Sequence, residues 1–381
     1  MIPVTKPFLP SLAAFQSYVD SIWTRQWLTN NGPLVNEFEF EIKKHLDLPN
    51  FLFVTNGTVA LQLAINALDL KGEIITTPFS FVATTSSIVW QGCKPVFVDI
   101  DKNSLNIDPT KIEAAITPNT TAILATHVFG NPCDIEAIEC IAKRNRLKVI
   151  YDAAHAFGVT YKGKSIFAYG DISITSFHAT KLFHTIEGGG VFTNSESLLQ
   201  KMSIMRNFGY SGVDTFSEIG TNAKNSEFHA AMGLCNLQHV DDILNNRKEL
   251  YNFYKDNLAD CDLQFQTIEP NSNFNSAYFP VIFDTEEAML NCKHELEQNQ
   301  VYCRRYFYPS LSALPYIDKM QMPICDSIAK RIMCLPMYHT LNDLERNIIV
   351  DIIAKTQKTY KSNKIEADPI NLTADVVATA I

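Results

Sequence analysis

Two hydrophobic periods take turns along the middle of this chain, and each switch marks an element. Phe51–Thr55 is a short apolar run, after which Ala60, Leu63, Ala64, Ala67 and Leu68 recur at helical spacing. Glu73–Thr77 predicts the next strand, and Phe81–Trp90 a helix after it. Pro95–Ile100 reads as a third strand, followed by a short helix at Ile112–Ile116. Thr121–Val128 and Leu147–Tyr151 read as strands flanking a helix over Ile135–Arg144. Ile172–Phe177 and Gly190–Thr193 are later strands with no clear helix between them. Repeated strand–helix units predict an α/β fold, with a mostly parallel sheet covered by helices on both faces. In such sheets ligands sit beyond the carboxyl ends of the strands.

The flanks differ in character. Leu12, Phe15, Val19 and Ile22 predict an amphipathic helix after Pro10, and Thr29–Pro33 reads as a loop. Residues 196–256 read as helical stretches, and residues 276–340 mix short strands, prolines and aromatics. Leu344, Ile348, Ile349 and Ile352 line one side of a last helix over residues 343–356. The expected division is a large domain over residues 1–240 and a smaller α+β domain over residues 241–381. Residues 361–381 read as a loose tail.

Composition narrows the function classes. The chain has 381 residues, a formal net charge of −9 and no basic block. That balance argues against electrostatic binding of nucleic acid or of an anionic membrane. No apolar run approaches the roughly 18–20 residues of a membrane span, and Met1–Pro10 lacks the segments of a signal peptide. The nine cysteines are scattered, without C-x2-C spacing, so neither a disulfide framework nor a metal site is expected. Thiols of this kind suit the reducing cytoplasm.

The usual nucleotide-binding glycine patterns, the H-E-x-x-H zinc motif and the G-x-S-x-G elbow are all absent. Four segments at strand ends remain. Thr55–Thr58 turns a strand into a helix, where Gly57 permits close approach and free N–H groups suit a phosphate. Tyr151–His155 ends an apolar strand, and Asp152 there reads equally as a helix cap or as a catalytic group. Ser176–Lys181 carries a lysine just past a strand, and Glu187–Gly190 brings three glycines that imply close packing of backbone. Gly220–Lys224 is a polar loop before another helix.

Together these parts suit pyridoxal 5'-phosphate. That cofactor needs a lysine amine for its aldehyde, a carboxylate against its ring nitrogen, a phosphate cup and a planar side chain on the ring. Lys181, Asp152, Gly57 and Thr58 with Ser176, and Phe81 supply these in order.

At this point the chain resembles the DegT–DnrJ–StrS family of sugar aminotransferases, of fold-type I. The likeness runs through Trp27–Pro33, Asn56–Leu61, Pro78–Thr84, Asp152–Gly158, Ser176–Gly190, Arg304–Pro309 and Cys334–Tyr338. It implies a seven-stranded, mostly parallel sheet plus a smaller C-terminal domain. It also implies that Lys181 holds pyridoxal phosphate and moves the proton, while Asp152 pairs with the ring nitrogen. His155 is expected to lie against the ring or to support Asp152. Asn222 or Lys224 is expected to reach the partner subunit's cofactor in a homodimer with shared sites. The usual Asn-x-Arg of that loop is Asn222-Ala223-Lys224 here, so the forked geometry of arginine is lost.

On the substrate side the resemblance points to Arg304, Tyr306 and Tyr308 near the nucleotide, a packed aromatic segment of the small domain being the alternative. His184 and Thr185 follow Lys181 closely and, with Thr29 and Glu187, are expected to face the sugar nucleotide. The reaction it implies moves the amine of L-glutamate, through pyridoxamine 5'-phosphate, to C-4 of dTDP-4-keto-6-deoxy-D-glucose. The product, dTDP-4-amino-4,6-dideoxy-D-glucose, would serve surface-glycan (lipopolysaccharide O-antigen) synthesis. Transfer to C-3, or to a UDP-linked sugar, is the alternative, and spacing does not separate them. Relatives that deoxygenate sugars carry histidine in place of the lysine, so Lys181 argues against that chemistry. The intact Lys181 and Asp152 pair likewise argues against a non-catalytic binding protein.

Overall fold

The computed structural model describes residues 1–367. Two helices come first, α1 (Leu12–Arg25) and α2 (Pro33–Leu46). The α/β part then runs β1 (Phe51–Val54), α3 (Gly57–Ala67), β2 (Glu73–Thr76), α4 (Val82–Trp90), β3 (Lys94–Phe97), β4 (Thr120–Thr126), α5 (Ile135–Asn145) and β5 (Lys148–Asp152). A small hairpin, β6 (Thr160–Tyr161) and β7 (Lys164–Ser165), precedes β8 (Ile172–Ser176) and β9 (Gly189–Phe192). Ile112–Ile116 is not a regular helix but a pair of 3-10 turns, Pro109–Lys111 and Glu113–Ala115. Four or five residues between turns are too few to repay a helical nucleus.

Seven strands form one sheet in the order β1-β9-β8-β5-β4-β2-β3. Neighbours from β8 through β3 pair in parallel, and β9 alone runs antiparallel, between β1 and β8. That explains the missing helix before Gly189, since an antiparallel return needs no crossover. The sheet is buried on both faces. Phe38, Phe51, Phe53, Phe177, Phe183 and Phe192 pack on one side, and Ala60, Leu63, Ala64, Ile174 and Met202 on the other.

Helix α2 was not expected, although Gly32-Pro33 followed by Leu34, Val35, Phe38 and Ile42 is a readable start. Its N-terminus is closed from far away. The fully buried Glu227 accepts from the Leu34 and Val35 N–H groups at 3.0 Å each, and a Cβ on Gly32 would overlap that carboxylate.

The rest of the chain adds α6 (Glu196–Arg206), the hairpin β10 (Tyr210–Gly212) and β11 (Thr215–Phe216), α7 (Glu227–Leu237) and α8 (Val240–Asn257). It continues with β12 (Gln264–Phe265), β13 (Ser272–Asn273), β14 (Pro280–Ile282), α9 (Glu286–Gln298), α10 (Pro323–Arg331), β15 (Ile332–Cys334) and α11 (Asp343–Ala367). A three-stranded sheet, β12-β14-β15, shares a core with α8, α9 and α11 through Tyr254, Phe279, Met289, Met333 and Ile349. Ile2 joins that C-terminal core and pairs with Val301, so the first residues pack with the C-terminal part. A further cluster joins Phe79, Phe97 and Phe129 to Phe307, Leu311 and Ile328. The last helix runs to Ala367, so the expected tail does not start at 361. Residues 368–381 lie outside the described residues.

Candidate active site

Five strands of the sheet, β1, β2, β4, β5 and β8, deliver their carboxyl ends to one cavity of about 480 Å³. The residues just past those ends line it: Asn56, Gly57 and Thr58; Ser80 and Phe81; Thr126; Asp152, Ala154 and His155; Ser176, His178, Thr180 and Lys181. Glu187, Arg304, Tyr306 and Phe307 complete the wall. The crevice lies where parallel-sheet topology places ligands.

At the β1–α3 turn, Asn56 caps the helix by accepting from the Val59 N–H at 2.9 Å. The Gly57 and Thr58 N–H groups have no partner among the described residues and stand at the positive end of α3. A Cβ on Gly57 would lie 3.0 Å from the Ser176 Cβ, so any larger residue crowds this turn. The three glycines, expected to allow close packing of backbone, pack against the protein itself. A Cβ on Gly188 would overlap Thr185, one on Gly190 would overlap Phe51, and one on Gly189 would meet Asn56 backbone. They hold the turn in place from behind.

Asp152 is 5% exposed. Its Oδ2 accepts from Thr84 Oγ1 at 2.7 Å and its Oδ1 from the Ala154 N–H at 3.2 Å. Burial pushes its pKa up, opposed by the Thr84 and Ala154 bonds and by the charge of Lys181. Lys181 is partly buried and faces the cavity. Burial pushes its amine down to about 8; the Asp152 charge pulls it up and Arg304 presses it down further. An amine in that range is available both as nucleophile and as base near neutral pH.

His155 borders the cavity, and its hydrogen-bond partner is not Asp152. Its Nδ1 accepts from the Phe129 N–H at 3.3 Å, and its ring lies nearly parallel to Phe129 and Phe307. Burial, and then Lys181, push its pKa well below the usual value, so the ring stays neutral. Phe81 caps α4, stands half-exposed and forms one wall.

The structure therefore brings together Gly57, Thr58, Phe81, Asp152, His155, Ser176, Lys181, Glu187, Arg304 and Tyr306. It does not bring in the others. His184 is buried with Nε2 2.7 Å from the Phe8 carbonyl, and Thr185 is buried and donates to the Glu187 carbonyl at 2.8 Å. Both side chains point into the protein, since the loop after Lys181 must bury Phe183 as well. Thr29 is exposed, and its carbonyl accepts from Trp27 Nε1. Tyr308 is exposed under the Arg305 guanidinium. Asn222 accepts from Lys224 Nζ at 2.9 Å, and neither lines the cavity of its own chain.

Residues not singled out from the sequence also stand here. Ser80, Thr84 and Thr126 back Asp152, and His178 and Thr180 flank Lys181. Their signal was position alone, at strand carboxyl ends or one helical turn apart.

The pieces fit pyridoxal phosphate. A helix N-terminus with spare donors, a buried carboxylate and a lysine of lowered basicity face one cavity of suitable size. Among the described residues no helix is long and apolar enough to cross a membrane.

Comparison with known families matches residues 12–354 to the DegT/DnrJ/EryC1/StrS aminotransferase family. The chain belongs to this family. A dTDP-4-amino-4,6-dideoxy-D-glucose transaminase from Shigella dysenteriae is 42% identical to this aminotransferase over 361 residues, covering 92% of this chain and 97% of that protein. The Escherichia coli protein of the same description is 40% identical over 365 residues, covering 92% and 96%. Among solved structures, DesI in the presence of its TDP-sugar product superposes with a TM-score of 0.90 at 30% identity, covering 96% of each chain. Both its fold and its chemistry class are thus those of a sugar aminotransferase.

Proposed function

We propose that this aminotransferase uses pyridoxal 5'-phosphate to move the amino group of L-glutamate to C-4 of dTDP-4-keto-6-deoxy-D-glucose. The observation that carries the reading is that Lys181 and Asp152 face one cavity from adjacent loops at the sheet's carboxyl edge. The likeness to the two transaminases supports the C-4 position and the dTDP carrier.

When bound, the cofactor supplies an aldehyde that captures amines and a ring that draws electrons from the neighbouring carbon. The Gly57 and Thr58 N–H groups and the Ser176 hydroxyl would hold its phosphate, and Asp152 its ring nitrogen. Phe81 would cover the ring from the solvent side. Lys181 Nζ would hold the cofactor's aldehyde end, and as a free amine it would take and return a proton. Its lowered basicity suits both directions of that transfer. Arg304 and Tyr306 at the rim, with the Arg304 guanidinium 4.6 Å from the ring centre, offer a cation and a hydroxyl to the sugar nucleotide.

We also take the working unit to be a homodimer in the cytoplasm, with Asn222 and Lys224 serving the partner's cavity. Both lie outside their own chain's cavity, so in this reading they are left for the partner's. A division into two domains near residue 240 belongs to the same reading.

Purified protein given L-glutamate and the keto-sugar should form 2-oxoglutarate, and NMR should place the new C–N bond at C-4. An amine at C-3, or turnover of UDP-linked sugars alone, would replace the substrate reading. A Lys181→Ala variant turning over at the wild-type rate would end the mechanistic one.

A further inference from the structure

Three hydroxyl groups stand in file behind Asp152. Thr84 Oγ1 donates to Asp152 Oδ2 at 2.7 Å. Ser80 Oγ lies 2.7 Å from Thr84 Oγ1, and Thr126 Oγ1 donates to Ser80 Oγ at 3.1 Å. All four side chains are buried. Ser80 and Thr126 border the cavity, whereas Thr84 stands behind it.

The direction of the file follows from chemistry. A hydroxyl has one hydrogen, and a carboxylate only accepts. The Thr84 hydrogen is committed to Asp152, so Ser80 must donate to Thr84, and Thr126 to Ser80. Every O–H dipole then points at the carboxylate, and such aligned bonds reinforce one another in buried surroundings. A hydroxyl inside a helix ordinarily bonds back to a carbonyl four residues earlier. Ser86 does so in the same helix, donating to the Val82 carbonyl at 2.7 Å. Thr84 forgoes that bond and turns to Asp152, 68 residues away. Of the influences that keep Asp152 ionised against its burial, the Thr84 bond is the largest.

We propose that Thr84, backed by Ser80 and Thr126, is a positioning residue that holds Asp152 ionised and aimed at the cofactor's ring nitrogen. The proposal rests on the pyridoxal phosphate reading above. Ala154 supplies the second bond that fixes the carboxylate plane, and Thr84 supplies the one that a substitution can remove.

The test compares the wild type with Thr84→Val, which keeps the shape without the hydroxyl, and Thr84→Ser, which keeps the hydroxyl. Each apo-protein is titrated with pyridoxal phosphate, and the bound chromophore is followed against pH. Loss of a bond to a charged group should weaken cofactor binding about tenfold in Thr84→Val. The pH midpoint of the chromophore should rise, because a less protonated ring nitrogen leaves the lysine nitrogen more basic. Thr84→Ser should restore both values. Thr126→Val, at the far end of the file, should shift both in the same direction by less, and carries the test if Thr84→Val does not fold. If Thr84→Val keeps the wild-type affinity and midpoint, or if Thr84→Ser is equally impaired, the proposal falls and the cofactor reading stands. A wild type that takes up no pyridoxal phosphate would overturn both.

Discussion

A Cβ placed on Gly189 would come within 2.4 Å of the Asn56 carbonyl carbon. Gly189 sits in the antiparallel strand β9, in register with Val54 on one side and Ser176 on the other. It therefore presses the strand against the turn that opens α3, and backbone cannot swing aside as a long side chain can. Gly189→Ala should destabilise the fold by about 1–3 kcal/mol, as overpacking does. Urea unfolding measures this, and pyridoxal phosphate titration should show weaker binding in the same variant. An unchanged unfolding midpoint would mean the turn yields without cost.

Lys181 should capture aldehydes at lower pH than an ordinary lysine. Borohydride trapping of pyridoxal phosphate on the apo-protein should reach half its limiting rate near pH 8, the value to which burial brings the amine. Arg304 lowers that value as a like charge. Arg304→Gln should therefore move the midpoint upward, and a downward move would contradict the assigned sign.

Acid should weaken the fold partly through His127. The residue is fully buried; its Nδ1 accepts from the Cys133 N–H at 3.0 Å, and its Nε2 has no partner among the described residues. Burial lowers its pKa from 6.5 to about 3. The unfolded chain thus binds a proton that the folded chain refuses. The contribution is complete above pH 6.5 and declines as pH falls toward 3. Urea stability should fall through this window, and His127→Gln should flatten the slope by up to about 1.4 kcal/mol per pH unit. An unchanged slope would exclude His127 as a source.

Asp99, at the end of the sheet's edge strand, caps a helix more than two hundred residues later. Its carboxylate accepts from the Ile324 and Cys325 N–H groups at 2.9 Å each, where the N-cap residue Met322 offers no side-chain bond. Asp99→Ala should cost about 1–2 kcal/mol. Hydrogen exchange should rise in the first turn of α10 before it rises elsewhere. Exchange that rises evenly across the chain would argue for a global effect instead.

Much of the candidate cavity's lining was legible because its signals are local. A lysine past a strand, an aspartate at a strand's end and a glycine opening a helix are each read from a few neighbouring residues. His184 and Thr185 were misplaced for the opposite reason. Both follow Lys181 closely, but the packing of Phe183 against Phe157 and Phe38 turns this loop inward. Nearness in sequence to a reactive group does not set which way a loop side chain faces. The purpose of Gly189 and Gly190 was hidden likewise, since Asn56 and Phe51 lie more than a hundred residues away.

By itself, the sequence determined the alternation of strand and helix, the parallel sheet and the residue types gathered at its carboxyl edge. Hydrophobic period and turn chemistry act over a few residues, so they survive in a one-dimensional record. The tertiary structure alone decided which polar groups serve the cavity and which serve distant backbone. Glu227 on α2, Asp99 on α10 and Thr84 on Asp152 are bonds between segments joined only by the fold. A buried polar group must find a partner wherever packing brings one, and that place is set by topology, not by spacing along the chain.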